Sequence, residues 1–352
     1  MASNEVIFSD CKEIYSRKVQ WEKLYGKNVL ITGAYGMLAS YMTDMLIYLN
    51  EYQNAGITII AIVRSEDKCK LRFREYAERP YFIIKTSRMD LPIDIDIKID
   101  FIIHAASLAS PQYYRIKPIE VIMPNAVGTY NLLNLAVSNE CKGFLLFSTG
   151  SVYGKVNGSV CIAEDVMGLI DPLDIRSCYS ESKRFAETLC KAYWIQKNVP
   201  TKIVRIFHTY APTMDYQNDS RVFASFVNDI VNHRDIVIKS DGLAKRSFCY
   251  ITDAVVGFFL VLLEGNSGEA YNVCNEKEWY SIWELAEIMT RMYQDLGLKV
   301  IKMSRNSNDP YVENRSASDI PPCSEKLRRL GWKAKIGVQE GFKRVIDYCR
   351  GE

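Results

Sequence analysis

A tyrosine and a lysine stand four residues apart in Tyr179-Ser-Glu-Ser-Lys183. On a helix that spacing puts both side chains on one face, so an ammonium can sit beside a phenol. A neighbouring cation favours the phenolate and lowers the tyrosine pKa toward neutrality. Tyr179 is then a base able to take a hydroxyl proton as hydride leaves the same carbon. Alone, a Tyr-xxx-Lys pair more often marks an ordinary surface helix, so its companions decide its meaning.

Two companions lie upstream. Phe147-Ser148-Thr149-Gly150-Ser151-Val152-Tyr153-Gly154 ends an apolar run in hydroxyls, and the carboxyl ends of strands are where ligands bind in α/β sheets. The plain alternative is a polar strand end that satisfies its own turn. The segment VLITGAYGMLAS joins the first apolar run to the first helix. Gly33 permits a tight turn, and Gly36 lets the backbone approach a pyrophosphate at the helix N-terminus, where free N–H groups point outward. Tyr35 and Met37 flank that approach, and Ala39 is small enough for close helix–strand packing. The spacing is GxxGxxA; glycines at such spacing often form only a turn, but their place at the first strand–helix junction favours dinucleotide binding. Arg64 follows the second strand, where an acid would suit the ribose hydroxyl of NAD and an arginine the 2′-phosphate of NADP. It also suits stacking on adenine, so NAD is expected with NADP open. Asp90 and Leu91 follow the third strand, where the adenine would lie.

These residues need a frame, and the apolar runs supply one. Asn28 to Thr32, Ile57 to Val63, Tyr81 to Lys85, Phe101 to His104, Phe144 to Ser148 and Lys202 to Phe207 read as strands. Helical patterns at Pro118 to Ser138 and Tyr179 to Asn198 separate several of them. Alternating strands and helices predict an α/β fold, a Rossmann-type doubly wound parallel sheet. Residues 1–26 form an amphipathic lead-in with Ile14, Val19, Trp21 and Leu24 able to dock. Residues 27–207 make the dinucleotide-binding domain. Residues 208–352 make a smaller, mainly substrate-binding region, with helices near Val222 to His233 and Ile282 to Gln294 and some segments returning to the sheet.

The bulk composition removes other classes. The formal net charge is +2, which gives no dedicated polyanion surface and makes nucleic acid and anionic membrane poor partners. No apolar stretch approaches a membrane span, and the N-terminus has no secretory h-region. Ten cysteines are scattered without a CxxC, and there are three histidines, a poor set for zinc. A reducing cytoplasm and no bound metal are expected.

With these motifs in order, the chain resembles extended short-chain dehydrogenases/reductases of the nucleotide-sugar epimerase/dehydratase family, from about residue 27 to the C-terminus. SPQYYRIKPIEVIMPNAVGTYNLL, PLDIRSCYSESKRFAETLCKAY and RVFASFVNDIV are most similar to segments of UDP-glucuronate decarboxylases. The resemblance implies that Thr149 bonds the reacting hydroxyl, that Tyr179 is the base and Lys183 its partner. It implies that Ala105, Ala106 and Ser107, after His104, line the cofactor. Substrate contacts are implied for Ser151, Arg176, His208, Arg221, Arg246 and Arg315, the arginines suiting a nucleotide diphosphate by their fixed donors. A homodimer through helices around 119–138 and 179–198 is implied as well.

Two departures set the expected reaction. The decarboxylases and 4,6-dehydratases of the family carry glutamate where this chain has Ser151, and dehydratases an acid where it has Gly150. Eliminating water needs a positioned acid and base, which disfavours dehydration. The sequence therefore points to a nucleotide-sugar 4-epimerase working through a transient 4-keto sugar. A decarboxylase is the alternative, and a catalytically idle dinucleotide-binding regulator the non-enzyme one. In HTYAPTM, His208, Ala211 and Thr213 stand where relatives commonly have Asn, Gly and Arg, which implies an altered substrate pocket.

Overall fold

The computed structural model describes residues 2–303 and 320–351, so Arg315 lies outside the described residues. The strands are β1 (Asn28–Thr32), β2 (Thr58–Val63), β3 (Phe82–Thr86), β4 (Phe101–His104), β5 (Gly143–Thr149), β6 (Thr201–Ile206), β7 (His208–Tyr210), β8 (Ile236–Ile238), β9 (Lys245–Tyr250), β10 (Glu269–Val273), β11 (Trp279–Ser281) and β12 (Val300–Lys302). Seven of them form one sheet in the order β10-β6-β5-β4-β1-β2-β3, with every pairing parallel. This is the expected doubly wound α/β arrangement.

The strands are nearly continuous runs of Val, Ile, Leu and Phe because helices cover both faces of the sheet. Alternate residues point to opposite faces. On β5, Leu145 and Phe147 join the core shared with helices Met37–Gln53 and Ile251–Glu264. Phe144 and Leu146 join the opposite core, with Leu132 and Leu133 of helix Pro118–Asn139 and Ala186 and Cys190 of helix Cys178–Lys197. Helix ends follow local chemistry. Pro118 opens its helix, where a missing N–H costs nothing. Asn54 and Asn198 close theirs in the left-handed conformation.

Helix Ala2–Tyr15 buries Ile7, Cys11 and Ile14 on the body, and Val19, Trp21 and Leu24 continue the contact. Its Asp10 accepts hydrogen bonds from Tyr41 (2.9 Å), Tyr250 (2.7 Å) and Arg344 (2.8 Å). Beyond β6, β7 and β9 pair in parallel and β11 joins β9 antiparallel. β8 and β12 form a separate parallel pair. The edge strand β10 returns to the main sheet beside β6. Among the described residues no helix is long and apolar enough to cross a membrane.

Candidate active site

β1 lies between β2 and β4, so the strand order reverses there and a crevice opens at the carboxyl ends of β1 and β4. Thr32, the last residue of β1, fastens the two ends together. Its hydroxyl oxygen accepts from the amides of Ala105 (3.1 Å) and Ala106 (3.0 Å). Its own proton is therefore free for His104 Nδ1, 2.9 Å away. That leaves the imidazole proton on Nε2, which donates to the Pro124 carbonyl at 3.2 Å. Burial, helped by the charge of Lys183, keeps His104 neutral with a pKa of about 3.

The glycine turn meets the same seam. Gly33 has φ +68°, and a Cβ on it would come 3.1 Å from the Ala106 Cα. Gly36 donates to the Gly33 carbonyl at 2.7 Å and caps helix Met37–Gln53. Ser107 Oγ is buried without a hydrogen-bond partner among the described residues. An open glycine cradle, a helix N-terminus and an unpaired buried hydroxyl in one crevice fit a dinucleotide. The outer cofactor candidates are less engaged. Arg64 is exposed, Leu91 is 52% exposed, and Asp90 is gripped by Arg88 at 3.0 and 2.6 Å.

The candidate reacting group sits at the end of β5. Tyr179 is buried at the start of helix Cys178–Lys197. Burial pushes its phenol up to about 12, while a hydrogen bond with Thr149 and the charge of Arg221 pull it down. Tyr114 stacks on its ring, with centroids 5.1 Å apart and planes 13° apart. Sequence spacing places the Lys183 ammonium beside this phenol. In the structure Lys183 is buried and its Nζ donates to the Phe147 carbonyl at 2.6 Å. Burial pushes the ammonium down to about 7, with the Glu187 carboxylate working against that fall. The cation acting on Tyr179 is thus Arg221, and the phenol stands above rather than below its ordinary value.

Arg221 is held by Asp219 (Nε at 2.8 Å from Oδ2) and lies 4.9 Å over the Phe223 ring. One of its Nη atoms reaches Met37 Sδ at 3.5 Å, beside the glycine turn. His208 on β7 stands opposite Phe248 on β9. Its Nδ1 is buried with no hydrogen-bond partner among the described residues. Burial and the charges of Arg246 and Arg221 hold this imidazole neutral. Arg246 lies two residues before Phe248 on the same strand. Arg221, His208 and Arg246 therefore share one side of the crevice with Tyr179. Arg176 does not join them: it lies exposed, with its guanidinium spread on Asp174 at 2.5–3.1 Å.

Thr149 caps the short turn Gly150–Tyr153, accepting from the Ser151 amide at 3.2 Å. Ser151 is exposed. A Cβ built on Gly150 would fall 2.7 Å from the Phe207 ring, so no acidic side chain fits at 150 without moving that ring. Tyr114, Phe207 and Asp219 adjoin the candidate site residues in ways that sequence spacing does not reveal, because each touches a different segment. Among the described residues no group of His, Cys, Asp or Glu is arranged to hold a metal ion.

Comparison with known sequences decides the family. The sequence matches the NAD dependent epimerase/dehydratase family over residues 29–274. The chain belongs to this family. Among curated relatives of this epimerase/dehydratase chain, UDP-glucuronic acid decarboxylase 6 of Arabidopsis thaliana is 32% identical over 317 residues, spanning 89% of the chain and 86% of the relative. Two solved structures share the fold of the family. The UDP-glucuronic acid 4-epimerase of Bacillus cereus, in complex with UDP-glucuronic acid and NAD, has TM-score 0.73 and 20% identity, covering 91% of this chain and 98% of its own. The dTDP-glucose 4,6-dehydratase of Bacillus anthracis, in complex with NAD, has TM-score 0.71 and 18% identity, covering 92% and 96%.

Proposed function

We propose that this chain is an NAD-dependent nucleotide-sugar 4-epimerase acting through a transient 4-keto sugar. The observation that carries the reading is the pairing of Tyr179 with Thr149 beside positions 150 and 151, which hold no carboxyl group. Bound NAD would supply a hydride acceptor. The chain's own residues do the rest. Gly33, Gly36, Ala105, Ala106 and Ser107 receive the dinucleotide, with Tyr35 and Met37 at its diphosphate and Arg64, Asp90 and Leu91 at its adenosine end. Thr149 orients the sugar hydroxyl and Tyr179 takes its proton. Lys183, on the same helix face as Tyr179, would meet the cofactor.

Arg221, Arg246 and neutral His208 suit the diphosphate and sugar of a nucleotide-diphosphate sugar, because guanidinium groups offer fixed donors and an imidazole adds a neutral one. Ser151 adds a hydroxyl near the reacting carbon. Arg176 and Arg315 are weaker members of this set, Arg176 because Asp174 already holds it. Exposed Ile119, Ile122, Tyr130 and Val137 on one helix and Phe185 and Ile195 on the next support a homodimer through these two helices.

Decarboxylation is the second reading, favoured by the 32% identity to a UDP-glucuronic acid decarboxylase. A 4-keto uronic acid loses its carboxylate readily, since that group is β to the ketone. The two readings separate by product mass. Incubation with UDP-, CDP-, GDP- and dTDP-sugars, read by mass spectrometry and NMR, gives an isomer of unchanged mass for the epimerase. Loss of carbon dioxide establishes the second reading, and loss of water a dehydratase.

A further inference from the structure

Tyr179, Lys183 and Glu187 recur at four-residue intervals and so form one stripe on helix Cys178–Lys197. Each member of the stripe meets one residue at the end of β5. Tyr179 faces Thr149, Lys183 Nζ donates to the Phe147 carbonyl at 2.6 Å, and Ser148 Oγ donates to Glu187 Oε1 at 2.5 Å. Glu187 is fixed from the neighbouring strand too. Arg205 on β6 donates to it from Nε at 3.1 Å and from Nη2 at 2.7 Å. Arg205 also donates to the Tyr153 hydroxyl at 3.0 Å, and Tyr153 donates to Asn272 at 2.6 Å. The carboxylate thereby ties the strand before Thr149 to the far end of the turn after it.

We propose that Glu187 is a positioning residue, which fixes the end of β5 that carries Thr149 and supports the buried Lys183 ammonium beneath it, through Ser148 and Arg205. The proposal rests on Tyr179 being the base. A buried Arg205–Glu187 pair serving stability alone would need no third bond from Ser148, the residue adjoining Thr149. The charged and titratable groups facing Lys183 are Glu187 and Cys190 on its own helix and His104 on β4. Arg205 on β6 stands behind Glu187. Of these, Glu187 is the carboxyl group, and it works against the fall that burial imposes on the ammonium.

The test compares Glu187→Gln, Glu187→Asp and Ser148→Ala in the full chain. Lysine side chains carry an isotopic label, and Lys183→Arg assigns the Lys183 resonance. In Glu187→Gln the Lys183 titration moves down by about one pH unit, as expected for loss of a close counter-charge. The alkaline limb of kcat moves with it, and kcat falls about tenfold with KM little changed. Glu187→Asp keeps the titration near its original place. Ser148→Ala, which spares the Glu187–Arg205 pair, lowers kcat several-fold and leaves the limb unmoved. An unshifted Lys183 titration in folded Glu187→Gln overturns the proposal. Should that variant not fold, unchanged kcat in Ser148→Ala does so instead. Because the titration is read without substrate, a chain that turns over no nucleotide sugar sinks the functional reading while the titration still decides the role of Glu187.

Discussion

The hydroxyl of Thr149 faces the phenol of Tyr179 across the gap between β5 and helix Cys178–Lys197 and pulls its pKa down against the rise that burial imposes. Two protic groups from different elements thus converge where one sugar hydroxyl would be held and deprotonated. The ring of Tyr179 is fixed independently, by its stack on Tyr114.

Tyr179→Phe keeps that stack and loses only the proton acceptor. Its kcat should fall about 10³-fold, within the range of a lost general acid–base group. Its melting temperature should stay near that of the parent. Steady-state kinetics beside a thermal melt check this, and full turnover in the variant contradicts the role of Tyr179.

Positions 150 and 151 should respond oppositely to an added glutamate. Gly150→Glu must displace the Phe207 ring and should cost about 1–3 kcal/mol, as other overpacked sites do. Ser151→Glu projects from an exposed position and should stay within about 0.5 kcal/mol of the parent. Denaturant unfolding of the two variants distinguishes them, and equal stability would show that the ring does not close position 150.

The N-terminal helix makes stability depend on pH through Asp10. Burial outweighs the bonds from Tyr250, Tyr41 and Arg344 and raises its carboxyl from 3.8 to about 6. The folded state therefore binds this proton more tightly than the unfolded chain does. The stabilisation is complete below the ordinary carboxylate value and is lost as pH rises through about 6. Between about pH 4 and 6 the group removes on the order of 2–3 kcal/mol. Asp10→Asn should lack this component. Urea titrations at both pH values measure it, and an unaltered slope in the variant contradicts the assignment.

Exposed apolar groups on helices Pro118–Asn139 and Cys178–Lys197 predict that Ile119→Arg combined with Phe185→Arg converts a dimer to a monomer. Sedimentation velocity reads this directly. A wild-type chain that sediments as a monomer would exclude the dimer.

Much of this architecture is legible from periodicity and punctuation. Six strands of the main sheet announce themselves as short apolar runs, and helices Pro118–Asn139 and Cys178–Lys197 fall within a residue of their sequence patterns. Helix Ile251–Glu264 is different. It is apolar almost all round and wholly buried up to its last residue, so no helical period stands out. β10 is hidden as well, since Glu269-Ala-Tyr-Asn-Val273 is short and mixed, and only its pairing with β6 makes it a strand.

The site divides along the same line. Gly33, Gly36, Thr149 and Tyr179 follow from local motifs, because the turn and the helix stripe are local in the chain. Spacing also suggests Lys183 beside the phenol, yet burial and the Phe147 carbonyl turn it elsewhere. The charge of Arg221, 42 positions along the chain from Tyr179, acts on the phenol instead. Phe207 closes the space over Gly150 from the end of another strand. Such long-range contacts leave no periodic trace.

The most direct test of epimerisation uses a nucleotide sugar carrying deuterium at C4, incubated with the chain and NAD. The predicted product has the same mass, retains the deuterium at C4 and shows inverted configuration there by NMR. A product lighter by carbon dioxide or by water, or one with unchanged C4 configuration, would contradict it.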